Sequence, residues 1–145
     1  MDKATLRIIS KAGLFIVLIG FFMPLACNQN GFQIAEYSAM RDGQNALSLS
    51  LYAIFFLACI GVLLLLLLVM KKTFSQGIDW VVICGTIIAA IVAYIEVSGF
   101  AGSDVFGSRE TGNISNMLQS GAYVILFGLI ISAICQIMAS IQDDA

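Results

Sequence analysis

Residues Ala46 to Met70 form a run of 25 residues without one charge, closed by Lys71-Lys72, and its last third is almost pure leucine. A soluble domain of this size cannot bury a helix of that length on all sides. At about 1.5 Å per residue it covers about 37 Å, enough to cross a hydrocarbon core about 30 Å thick with some tilt. The composition agrees: 60% of the 145 residues are hydrophobic and 11% are charged, against about 25% charged in soluble domains.

Three further apolar segments follow the same logic, and the chain reads as a single membrane domain, 1–145. The predicted helices are 6–27, 46–70, 78–98 and 116–141, with outer connections 28–45 and 99–115. In the first segment Lys3, Arg7 and Lys11 recur at helical spacing, so their heads can snorkel from one face. Pro24 falls in its last turn, where a lost hydrogen bond costs least. The basic start, apolar core and Pro24-Leu25-Ala26-Cys27 also resemble a bacterial lipoprotein signal ending at a lipidated cysteine. Proline three positions before Cys27 and the long apolar run favour a retained helix. Between the turn signals Asn30-Gly31 and Asp42-Gly43, residues 32–41 suit either a short interfacial helix or an extended segment.

Charge sets orientation. Lys3, Arg7, Lys11, Lys71 and Lys72 fall on one side, Arg41 and Arg109 on the other. The positive-inside rule then puts both termini and the Lys71-Lys72 loop in the cytoplasm. Asp79 suits the first turn of the third helix, and Trp80 an interfacial position. The fold expected is all-α: an integral membrane antiparallel four-helix bundle with cytoplasmic termini.

Helices in lipid associate through close backbone approach and interhelical polar contacts, so small residues at four-residue spacing mark packing faces. The third helix offers Gly85, Ala89 and Ala93; the fourth offers Gly128, Ser132 and Gln136. These ladders predict that the third and fourth helices are the tight pair, with Gln136 buried between helices. The first helix carries Gly13 and Gly20, one heptad apart. Glu96 is the acid within an apolar segment. It lies about 24 Å along its helix from Trp80, in the outer leaflet, and within about 20° of Ala89 in helical phase. It is a candidate intramembrane polar site, serving either as a coupling carboxylate or as a structural group paired with Arg41 or Arg109.

The chain has no histidine, and no two of its four cysteines form a CxxC. These counts argue against a His-based triad, a metal site, a cofactor site or enzyme activity. The seven Lys and Arg make no basic stripe for nucleic acid. Phe21-Phe22-Met23-Pro24, then Cys27, then Gly31-Phe32-Gln33-Ile34-Ala35 resembles a pattern in small four-helix bacterial membrane proteins. The resemblance implies a multi-pass protein of the bacterial inner (plasma) membrane and carries no known activity. The functional expectation is a non-catalytic membrane subunit, assembly factor or scaffold. It would act by helix packing in the lipid bilayer, as a homo-oligomer or with a membrane-protein partner. The alternative is a homo-oligomeric ion or proton pathway, or small transporter, using Glu96.

Overall fold

A computed structural model describes residues 2–26, 28–40, 45–70, 75–101 and 118–141. Lys71, Lys72, Arg41, Arg109 and Cys27, which carried the topology, pairing and lipidation expectations, lie outside them. The described chain is all-helical: α1 (Lys3–Phe22), α2 (Gly31–Ala39), α3 (Asn45–Val69), α4 (Gln76–Ala101) and α5 (Ser120–Ile141). Four of these, α1, α3, α4 and α5, are long and apolar enough to cross a membrane.

Local chemistry sets the helix ends. Helix α1 stops at Phe22, five residues before the predicted end at 27. Met23 takes extended dihedrals, as the residue before a proline tends to. Its amide donates to the Gly20 carbonyl, so Pro24 terminates the helix rather than sitting inside its last turn. The 32–41 segment is helical, and Asn30 and Gln33 form a reciprocal capping box at its start. Ser75 caps α4, its hydroxyl accepting from the Gly77 amide at 3.3 Å. Helix α5 begins at Ser120, four residues later than predicted. Its Gly121 amide donates to the Pro24 carbonyl at 2.9 Å, and the Gln119 amide donates to Leu25. The turn after α1 thereby satisfies donors at the start of α5 that no helix can pair internally. Asn28, in the left-handed region at φ 60°, exchanges side-chain and backbone bonds with the Gln119 amide group.

Helix α1 is the hub. It lies along α5 on one side and α3 on another, α4 packs on α3, and α2 covers part of α3. The α1–α5 seam is the closest: a Cβ on Gly13 would stand 2.6 Å from the Gly128 carbonyl oxygen, and one on Gly128 would stand 2.6 Å from that of Gly13. Seven residues away on each helix, Gly20 and Gly121 repeat the arrangement at 2.9 and 2.7 Å. Backbones this close make dispersion and Cα–H···O contacts that larger side chains forbid. The expected tight pairing of α4 with α5 is therefore corrected, since these two meet at only a few positions. The heptad-spaced glycines of α5 match those of α1. On α4, the methyls of Ala89 and Ala93 pack instead into a core with Ile54 and Ala58 of α3 and Ile125 and Leu129 of α5.

A second, smaller core joins Leu14 of α1, Leu64 of α3, and Val82 and Ile83 of α4, with Ala133 of α5 against it. At the opposite end Phe21, Phe22, Phe32 and Phe55 tie α1, α2 and α3 together by edge-on and tilted ring contacts.

A candidate functional site in the polar layer between α1, α4 and α5

One turn beyond the Leu14–Val82–Ile83–Ala133 cluster, toward the start of α1, the interior becomes polar. Lys11 lies three residues before Leu14, Asp79 three before Val82, and Gln136 three after Ala133. Each therefore steps about 4.5 Å to the same end. Lys11 is 1% exposed, Asp79 2% and Gln136 0%.

Asp79 Oδ2 receives both cations. Lys11 Nζ stands 2.9 Å away, and Arg7 donates through Nε at 2.9 Å and Nη2 at 2.8 Å. Arg7 and Lys11 are four residues apart and share one face of α1, so a single carboxylate can meet both. The expectation that these side chains snorkel outward is corrected. An aspartate facing them across the helices gives their charge a partner inside, where unpaired charge is costliest. Sequence reading gave Asp79 only its dipole role in the first turn of α4. The available signal was that Asp79 is an acid at the same end as Arg7 and Lys11.

Beside this triad, Ser10 donates to the Ser132 carbonyl at 2.8 Å, with the two hydroxyls 3.4 Å apart. Ser132 is fully buried against α1. Gln136, one turn further along α5, is also buried between helices. Neither its amide nitrogen nor its oxygen has a hydrogen-bond partner, and Asp79 Oδ1 has none. Thr86 bonds back to the Val82 carbonyl at 2.7 Å, which satisfies its hydroxyl within α4.

The remaining predicted residues do not join this layer. Gly85 faces Leu57 of α3, 3.1 Å from a built Cβ, and Ala89 and Ala93 belong to the apolar core. Glu96 is half-buried near the far end of α4. An apolar cavity of about 120 Å³ opens there, lined by residues that include Leu51, Ala93, Tyr94, Val97 and Ile125, but not by Glu96. Among the described residues, no three His, Cys, Asp or Glu side chains gather as metal ligands.

The layer is thus a charge lock in which Arg7 and Lys11 share the Asp79 carboxylate, flanked by hydroxyls and one carboxamide. It ties α4 to α1 across the molecule. No family model matches the chain, and it matches neither a curated protein nor a solved structure.

Proposed function

We propose that this is a multi-pass protein of the bacterial inner membrane. It is an antiparallel bundle of four spans with both chain ends cytoplasmic, and it works as a non-catalytic subunit, assembly factor or scaffold. The observation that carries this reading is the use made of the polar groups on α1, α4 and α5. Arg7, Lys11 and Asp79 pair with one another, and Ser10 and Ser132 bond across a glycine seam. Such groups stiffen the bundle rather than face a substrate. A prepacked unit of this kind offers its outer surface. On α3 the exposed Leu49, Phe56, Ile60 and Leu63 follow one another at helical spacing and provide an apolar face for a membrane partner or a second copy.

Extraction of the tagged protein from its native membrane in mild detergent tests the reading, with a photo-crosslinker at Phe56 or Leu63 and, for comparison, at buried Leu51. Co-purifying membrane proteins or a defined multimer, crosslinked from the outer face alone, is the expected result. A monodisperse single chain that crosslinks only to lipid overturns it. A partner-free ring that conducts protons would support the alternative, a pathway through Glu96. What speaks for that alternative is that Glu96 is half-buried on a helix long and apolar enough to span a membrane.

A further inference from the structure

Toward the end of α4 opposite Asp79, three helices part around the apolar cavity of about 120 Å³, lined from within 47–54 of α3, 90–97 of α4 and 122–126 of α5. Small side chains leave the hollow. Ala90 and Ala93 of α4 and Ala122 of α5 bring only methyl groups to it, and α4 meets α5 at only a few positions. Its inner walls are buried, with Leu51 6%, Ile54 3% and Ile125 7% exposed. Tyr94 and Leu126 also line it and are 53% and 49% exposed, so the cavity reaches the surface between α4 and α5. On another side Leu25, Ala26 and Leu118 form a wall whose backbone is committed: Ala26 and Leu118 form a bridge, and the Gln119 amide donates to the Leu25 carbonyl.

This lining selects its occupant. Among the described lining residues only Tyr94 has a polar side chain, so water would forfeit hydrogen bonds there, and a charged headgroup would find no counter-charge. An apolar group meets neither objection; an engineered apolar cavity of about 150 Å³ stays dry and takes up benzene. Helices α4 and α5 are both long and apolar enough to cross a membrane, so in a bilayer the opening between them faces hydrocarbon. Seven residues of helix give the cavity a reach of about 10 Å, which fits within one leaflet of a core about 30 Å thick.

We propose that this cavity is a binding site for one acyl chain of a bilayer lipid, which enters sideways between α4 and α5 while its headgroup stays outside the bundle. The chain makes the dispersion contacts that Ala90, Ala93 and Ala122 leave unmade, and its end rests against Leu51, Ile54 and Ile125. It thereby joins α4 to α5, the pair of long helices whose direct contact is slight. The inference rests on the membrane reading, to which it adds a ligand, and is independent of the scaffold role.

The test uses the full chain in vesicles of phosphatidylethanolamine and phosphatidylglycerol with a trace of phosphatidylcholine whose acyl chain carries a diazirine. Photolysis and mass mapping locate the adducts. Ile125 lines the cavity, whereas Leu129, equally buried one turn away, does not. The expected result is labelling at Ile125 at least about threefold above that at Leu129. Ala93→Phe fills the cavity and brings Ile125 down to the level of Leu129, while Phe56 on the outer face of α3, 61% exposed, labels as before. Should that variant fail to fold, Ala122→Phe fills the same space from α5. Labelling at Ile125 no higher than at Leu129, with Phe56 labelled, overturns the acyl-chain site alone, as does labelling at Ile125 that filling leaves unchanged. An unlabelled Phe56 in the parent overturns the membrane reading and the site with it.

Discussion

Lys11 Nζ lies 2.9 Å from Asp79 Oδ2, with the side chains 2% and 1% exposed, and this contact joins the first long helix to the third. Arg7 completes the triad from the same face of α1. A buried ion pair is a weak source of net stability, because desolvation offsets most of the Coulomb gain. Breaking one is costly, because it strands a charge. In Asp79→Leu two cations lose their shared partner, so the variant is expected to lose about 3 kcal/mol of stability. Reversible unfolding in bicelles measures it. The triple variant Arg7→Met, Lys11→Met, Asp79→Leu removes charge and partner together and recovers most of the loss. If Asp79→Leu unfolds like the parent, the triad does not hold α4 in place.

The glycine seam gives the second prediction. In a background with Cys27, Cys59, Cys84 and Cys135 replaced by serine, Ser10→Cys with Ser132→Cys should form an intramolecular disulfide readily under mild oxidation. The parent hydroxyls are 3.4 Å apart. Adding Gly128→Val forces the backbones of α1 and α5 apart, since even a Cβ there stands 2.6 Å from the Gly13 carbonyl oxygen. The crosslinking rate then falls about tenfold or more. Gly77→Ala, whose Cβ meets nothing nearer than Ser75 Oγ at 3.5 Å, leaves the rate unchanged. Equal rates in Gly128→Val and the parent would refute the seam.

These two relationships mark how much of the molecule was legible in its sequence. Four helices of membrane-crossing length follow from apolar run length alone, because no soluble packing can hide Ala46–Met70. Gly13 and Gly20 stood out on α1, yet their partners Gly121 and Gly128 lie more than 100 residues away. A helical period shows which face of one helix is smooth but not which helix lies opposite. That is why the ladder of Gly85, Ala89 and Ala93 suggested an α4–α5 pair. The pairing of Asp79 is hidden in the sequence for the same reason. Within its own helix it sits well against the dipole, and only the tertiary arrangement brings Arg7 and Lys11 to it. The unpartnered Gln136 was legible as a buried residue, since a carboxamide on a small-residue stripe faces protein more cheaply than lipid.

The third prediction concerns the far end, where α2 begins. Gly31 packs directly on the ring of Phe21, leaving no room for a methyl group, and Phe21 is fully buried. Gly31→Ala therefore displaces α2 or the ring and lowers the thermal midpoint. Phe21→Leu removes the ring and leaves a cavity, which also destabilises. Together the two changes fit each other, because the alanine methyl enters space the ring vacated. The double variant is expected to be about 1 kcal/mol more stable than the sum of the single effects. Strict additivity would mean that the two residues do not share that space.

The last prediction separates the two functional readings at Glu96. The residue is half-buried, three positions past Ala93, and makes no hydrogen bond or ion pair with a described residue. Arg41 and Arg109, its expected partners, lie outside those residues. A coupling carboxylate must change protonation during transport, and glutamine cannot, whereas a structural carboxyl that only accepts hydrogen bonds is largely replaced by the isosteric amide. Under the scaffold reading, Glu96→Gln co-purifies with the same partners, or forms the same multimer, as the parent. Liposomes containing either protein then dissipate an imposed proton gradient no faster than empty ones. Under the pathway reading, the parent dissipates the gradient and Glu96→Gln slows this by about tenfold or more while assembly stays intact. That second outcome would replace the scaffold with a pathway and move the working part of the molecule from the Lys11–Asp79 end to the opposite end of α4.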